Sequence, residues 1–294
     1  MGGGSWTRDA FVTYATTTCR NVTADGNLDN RYNAQDLYRA TRLAPELNPH
    51  GVIRECRDSD EHPETKPVIL ALDVTGSMGD SAAEVAKKLN EIMTSLYDQV
   101  KDVEFLIMGI GDLAYDAAPI QASQFESDIR IAEQLDKIYF EGGGGGNSFE
   151  SYTAAWYFGL RHTDLDCWKR GKKGVIITMG DEPMNPYLPG RRLAEVTGDT
   201  VQGDIETNSL YDETIEKFDV YHLAVNDAHN SYRYHASRVK SSFGKYLDDD
   251  HLKVVTLNNI ASAIVDIVDS SFSGDEAQKV NENSTVTETN EIKW

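Results

Sequence analysis

The chain predicts an α/β fold in which a doubly wound, mostly parallel sheet carries helices on both faces. Short apolar runs alternate with stretches whose apolar residues recur at helical spacing, and strand–helix repetition requires crossover connections and hence parallel pairing. The runs "VILAL", "FLIMGI" and "VIIT" are nearly continuous in apolar character, as strands buried on both faces should be.

The elements follow in order. Residues 1–66 mix Thr, Asn, Asp and Arg with little periodicity and many turn formers, which predicts an irregular arm or small subdomain with one short helix near Ala34 to Arg42. From residue 67 the pattern changes. Strands are expected at Val68–Asp73, Val103–Ile110, Ile138–Phe140, Val175–Thr178, Val220–Val225 and Leu252–Leu257. Helices are expected around Val85, Leu89, Ile92, Met93 and Leu96, then Tyr152, Ala155, Trp156, Gly159 and Leu160, then Ile260, Ile264, Ile267 and Val268. Residues 67–271 thus form the main domain, and the polar residues 272–294 read as a disordered tail or docking arm.

Composition narrows the function. The 294 residues are 40 % hydrophobic, enough for a real core, and carry a formal net charge of −20. Nucleic acid is an unsuitable partner for so acidic a chain, whereas cations and basic surfaces suit it. No apolar stretch approaches the roughly 18 residues of a membrane span. The start, "MGGGSWTRDAF", lacks a signal peptide's apolar core, and Cys19, Cys56 and Cys167 are too few and too scattered for a disulfide framework. Cytoplasmic residence is the expectation.

Ligands of open α/β sheets bind beyond the carboxyl ends of the strands. Three expected strands end there in polar or glycine-rich loops: one at Asp73, Thr75 and Ser77, one in "EGGGGGNSFES", and one in "TMGDEPMNP" with Asp181. Carboxylates and hydroxyls without His or Cys make a hard-oxygen site, suited to Mg²⁺ first and to Mn²⁺ or Ca²⁺ next. Gly142 to Gly146 would let backbone approach that site, or serve as a plain flexible linker. Each loop also has an ordinary reading: Asp73 or Ser77 as a helix cap, Asp181 and Glu182 as a solvated turn, Asp112 as a turn after its strand, and "LDDDH" as a charged loop.

"DVTGSM" resembles the Asp-x-Ser/Thr-x-Ser signature of the von Willebrand factor A (vWA) family with its metal-ion-dependent adhesion site, and "GGNSF" resembles that family's second loop. The third loop departs from the family pattern, because Met179 stands where an aspartate is usual and Asp181 follows two residues later. Uncharacterised bacterial and phage-encoded vWA proteins are similar as well, including "EHP" before the first strand. The resemblance implies metal ligation by Asp73, Thr75, Ser77, Ser148 and Asp181, with Asp112, Asn147, Glu150 and Glu182 around them. It further implies capture of an exposed Asp or Glu on a partner protein, for which a MoxR-type AAA+ ATPase is one candidate, and no enzymatic activity.

Two other readings stand beside it. "DVTGS" also resembles the nucleophile motif of haloacid-dehalogenase-like phosphotransferases, which would make Asp73 the nucleophile and Lys172 or Lys173 the phosphate's partner. A structural component of a larger assembly or phage particle is the third.

Overall fold

The computed structural model describes residues 4–141, 147–227 and 229–285, and side chains up to residue 273. Helices α1 (Arg8–Thr17) and α2 (Ala34–Leu37) and strand β1 (Arg54–Cys56) come first. The main body runs β2 (Lys66–Asp73), α3 (Gly79–Lys87), α4 (Leu89–Gln99), β3 (Val103–Ile110), β4 (Ile120–Ala122), α5 (Arg130–Leu135), α6 (Thr153–Arg161) and β5 (Thr163–Leu165). It continues through β6 (Gly174–Gly180), β7 (Tyr187–Leu188), α7 (Gly190–Thr197), β8 (Ile205–Glu206), α8 (Thr207–Thr214), β9 (Phe218–Val225), α9 (Tyr232–Phe243), β10 (Leu252–Val255) and α10 (Ile260–Thr285).

A six-stranded sheet in the order β10-β9-β6-β2-β3-β4 forms the centre, and only β4 runs antiparallel to its neighbour. The expected α/β class and parallel pairing are therefore observed. Alternation along β2 sorts the core. Val68, Leu70 and Leu72 pack with Phe105, Ile107, Val175, Ile177 and Met179 beneath α3, α4 and α10. Ile69 and Ala71 pack with Leu106, Met108 and Ile176 beneath Tyr152, Trp156 and Phe158 at α6 and Phe243 of α9. Each buried Val, Leu, Ile, Met or Phe side chain among them contributes about 1.5–3 kcal/mol relative to exposure.

Several expectations need correction. Ile138–Phe140 is not a strand. Among the described residues its one ladder contact is a bridge from Tyr139 to Ala40, and the Gln121 side chain takes up both the N–H and the carbonyl of Tyr139 at 2.8 and 2.7 Å. The helical stretch from Val85 to Leu96 is broken at Lys88, and the Lys87 carbonyl at the break accepts from the Leu28 N–H at 3.0 Å. A helix interrupted by a foreign donor bends at that point. The boundary expected at residue 271 falls inside α10, whose backbone continues to Thr285.

The first 66 residues are more ordered than their composition implies. Thr7 caps α1 by accepting from the Ala10 N–H at 3.2 Å. Trp6, Phe11, Ala15, Leu28, Leu37, Tyr38 and Leu47 are all buried in the same apolar cluster as one face of the sheet. Arg20, itself buried, pairs with Asp136 at 2.5 Å and so fastens the arm beside α5. The arm completes the core instead of hanging from it.

Phe11→Ala is therefore expected to lower stability by about 3–5 kcal/mol in urea denaturation, the loss seen for buried phenylalanines. An arm merely appended to a finished domain would show a change within about 0.5 kcal/mol.

Candidate metal centre

Parallel pairing puts the tips of β2 and β6 at one edge of the sheet, because Leu72 lies beside Met179 and both chains leave the ladder just after. Asp73 ends β2 fully buried. One of its oxygens, Oδ1, accepts from the Thr75 N–H at 2.9 Å and from the Thr75 hydroxyl at 2.6 Å. The other, Oδ2, accepts from the Tyr152 hydroxyl at 2.8 Å. A 3₁₀ turn, Gly76–Met78, then leads into α3 and presents Ser77.

The loop after β6 supplies Asp181, also fully buried. Its Oδ1 accepts from the Ser77 hydroxyl at 3.1 Å, and its Oδ2 accepts from the Ser231 N–H ahead of α9 at 2.6 Å. Met179 takes no part, being buried in the apolar cluster on one face. Gly180 matters for the opposite reason: a Cβ there would lie 1.9 Å from the Tyr152 hydroxyl, so only glycine leaves room for the ring that holds Asp73.

Burial raises the pKa of Asp73, and the neighbouring Asp181 charge raises it further. Burial raises Asp181 as well, against the Ser231 and Ser77 hydrogen bonds that favour its charged form. Among the described residues, no Lys, Arg or His forms an ion pair with either. Two buried carboxylates that repel each other, with no ion pair among the described residues and only the more distant His235 favouring the charge on Asp181, cost several kcal/mol as charged groups. That environment and its hard-oxygen donors fit a divalent cation. Among the described residues no three carboxylate, imidazole or thiolate groups gather as a metal cluster, so hydroxyls must complete the donor set. Thr75 directs its proton to Asp73, which leaves its oxygen lone pairs for a cation.

The structure thus brings Asp73, Thr75, Ser77 and Asp181 together. Residues 142–146, the glycine run, lie outside the described residues. Ser148 is joined to α9 through its carbonyl, which accepts from Arg238 at 3.4 Å, and no hydrogen bond links its hydroxyl to the Asp73–Asp181 group among the described residues. Asn147 accepts from the Phe149 N–H at 2.9 Å. Asp112 accepts from the Ala114 N–H at 2.8 Å, so it shapes its own loop. Burial, then the charges of Asp73, Asp116, Asp112 and Glu182, raise the pKa of Glu150. Glu150 and the third loop are stitched by backbone bonds, Glu150 N–H to the Pro183 carbonyl and Asn185 N–H to the Glu150 carbonyl, both at 3.2 Å. Glu182 stands 3.9 Å from the His235 ring and donates its N–H to the Tyr152 hydroxyl at 3.3 Å.

Lys172 and Lys173 precede β6, at the edge of the sheet opposite Asp73 and a strand length away, roughly 20 Å. Tyr152 and Ser231, which hydrogen-bond the two carboxylates, are residues of this candidate site that sequence reasoning missed. The glycine ending β6 was the available signal for a close approach there, but nothing local marks which ring approaches.

Among solved structures, the chain is similar to the pilus adhesin SpaC from Lactobacillus rhamnosus GG in its open conformation, at 12 % identity and a TM-score of 0.44, over 74 % of this chain and 31 % of that one. It is similar to the vWF domain of the type V pili tip protein Mfa5 from Porphyromonas gingivalis, at 10 % identity and a TM-score of 0.43, over 78 % and 98 %. The conserved hypothetical protein BatB from Bacteroides thetaiotaomicron is similar at 14 % identity and a TM-score of 0.39, over 71 % and 98 %. The chain spans about a third of the adhesin's length. No protein-family model and no curated protein matches it.

The carboxylate pair makes stability depend on pH. A raised native pKa means that the folded chain keeps a proton that the unfolded chain has released, so the contribution is lost as pH rises from about 4 toward neutrality. In EDTA, Asp73→Asn is expected to be more stable than the parent at neutral pH, with the advantage shrinking as pH falls to about 4. Urea denaturation across that range checks it. A variant less stable by the same amount at every pH contradicts the assignment.

Proposed function

We propose that the chain is a vWA-type protein-binding module in which a divalent cation, Mg²⁺ for preference, lies between Asp73, Thr75, Ser77 and Asp181. Ser148 would approach from the second loop. The observation that supports this most is the buried Asp73–Asp181 pair, without an ion partner among the described residues, set beside the hydroxyls of "DVTGSM". When bound, the cation would supply an electrophilic position that a carboxylate of a partner protein completes.

The chain's own residues prepare the place. Tyr152 and the Ser231 N–H each hold one carboxylate oxygen, so neither acid is free to swing away. Ser77 is partly exposed and Thr75 is buried, which leaves the approach on the Ser77 side. The phosphotransferase reading needs a lysine close to Asp73, and the position of Lys172 and Lys173 at the other edge of the sheet weighs against it.

Mg²⁺ or Mn²⁺ is expected to raise the melting temperature over that in EDTA, corresponding to about 2.7 kcal/mol when the cation is at a hundred times its Kd, and Asp73→Ala is expected to abolish the rise. An identical melting temperature with and without cation contradicts the reading. Turnover of a phosphomonoester that disappears in Asp73→Ala would put the phosphotransferase in its place.

A further inference from the structure

The arm does more than fill the core. Between α2 and the "DVTGSM" loop lies a cavity of about 810 Å³ that Ser77 itself lines. Its apolar floor includes Tyr38 and Phe140, whose ring centroids are 5.1 Å apart, and the Tyr38 hydroxyl is fixed on the Ala82 carbonyl at 2.9 Å. The arm closes directly on the loop: a Cβ at Gly79 would stand 3.4 Å from that of Ala34, so a side chain longer than alanine's there would narrow the groove.

Charge is unevenly placed along this groove. Arg39 is exposed on the arm side, spends its Nε on the Asp36 carbonyl at 2.9 Å, and makes no ion pair among the described residues. Asp80 lies on the opposite side, beside the start of α3. In a chain of net charge −20, an acidic ligand is repelled by most of the surface and drawn to the few positions of opposite sign.

We infer that the groove receives an extended segment of the partner that bears two acidic side chains, one reaching the cation site past Ser77 and the other pairing with Arg39. The residues between them lie over Tyr38 and Phe140, and Asp80 turns the second carboxylate toward the arm. The inference rests on the cation-site reading above and adds the partner's chemistry to it. The arm becomes the part of the molecule that selects among acidic partners, since a single carboxylate suffices for the cation alone.

The test uses the full chain with Mg²⁺ and fluorescein-labelled synthetic peptides that carry one Asp, or an Asp and a Glu separated by alanine and leucine spacers of different length, read by anisotropy. A di-acidic peptide of suitable spacing is expected to bind about threefold to tenfold more tightly than its single-acid counterpart, and Arg39→Glu is expected to remove that advantage. Asp73→Ala or EDTA should remove all binding. Equal affinity for both peptide types, or an advantage that survives Arg39→Glu, overturns the groove inference while the cation site stands. Absence of any peptide binding overturns it too, and the cation-dependent melting shift then tells whether the underlying reading has failed with it. Concentration-dependent self-association in sedimentation that Arg39→Glu abolishes would assign the groove to a second copy and overturn the acidic-segment proposal. Arg39 is exposed, so an unchanged melting temperature of the variant in EDTA confirms that the fold is intact.

Discussion

Two carboxylates, Asp73 and Asp181, are buried side by side at the tips of adjacent parallel strands, and the surrounding structure is arranged around that repulsion. Hydrophobic strands in register bring the two tips together, and nothing about an apolar core favours charges there. Each oxygen is met by its own donor: Thr75 and Tyr152 on Asp73, Ser77 and the Ser231 N–H on Asp181. Hydrogen bonds satisfy geometry and leave the repulsion to be relieved by a retained proton, as the raised pKa of Asp73 indicates, or by a bound cation, which is the route the proposed binding function uses.

The supports for this pair come from distant parts of the chain. Tyr152 reaches Asp73 only because Gly180 has no side chain, and Ser231 belongs to the connection between β9 and α9. Four separate segments therefore meet at one edge of the sheet. The opposite edge holds Lys172 and Lys173 just ahead of β6, where Lys173 pairs with Asp219 at 3.3 Å.

How much of this was legible depended on whether a feature was local. The strand Val103–Ile110 was readable to the residue because a continuous apolar run between helical stretches admits few alternatives, and Asp73, Thr75 and Ser77 sit in one contiguous motif. Asp181 was readable from its position after a buried strand. Ile138–Phe140 misled because three apolar residues also suit a segment whose backbone is satisfied by a glutamine side chain. Helix α1 was hidden because its buried stripe is only Phe11 and Ala15, and the break at Lys88 because its cause, the Leu28 N–H, is sixty residues away in the arm. Tyr152 and Ser231 could not be found from sequence at all, since their roles arise from tertiary adjacency. The expected place of Ser148 beside the carboxylates is not made by any hydrogen bond among the described residues.

The most direct measurement is the anomalous diffraction of crystals grown with Mn²⁺. The account predicts one manganese peak within coordination distance of Asp73, Thr75, Ser77 and Asp181, and its loss in crystals of Asp181→Asn. Manganese bound elsewhere on the chain, with the Asp73–Asp181 gap free of it, would contradict the claim that this carboxylate pair is built to hold a cation.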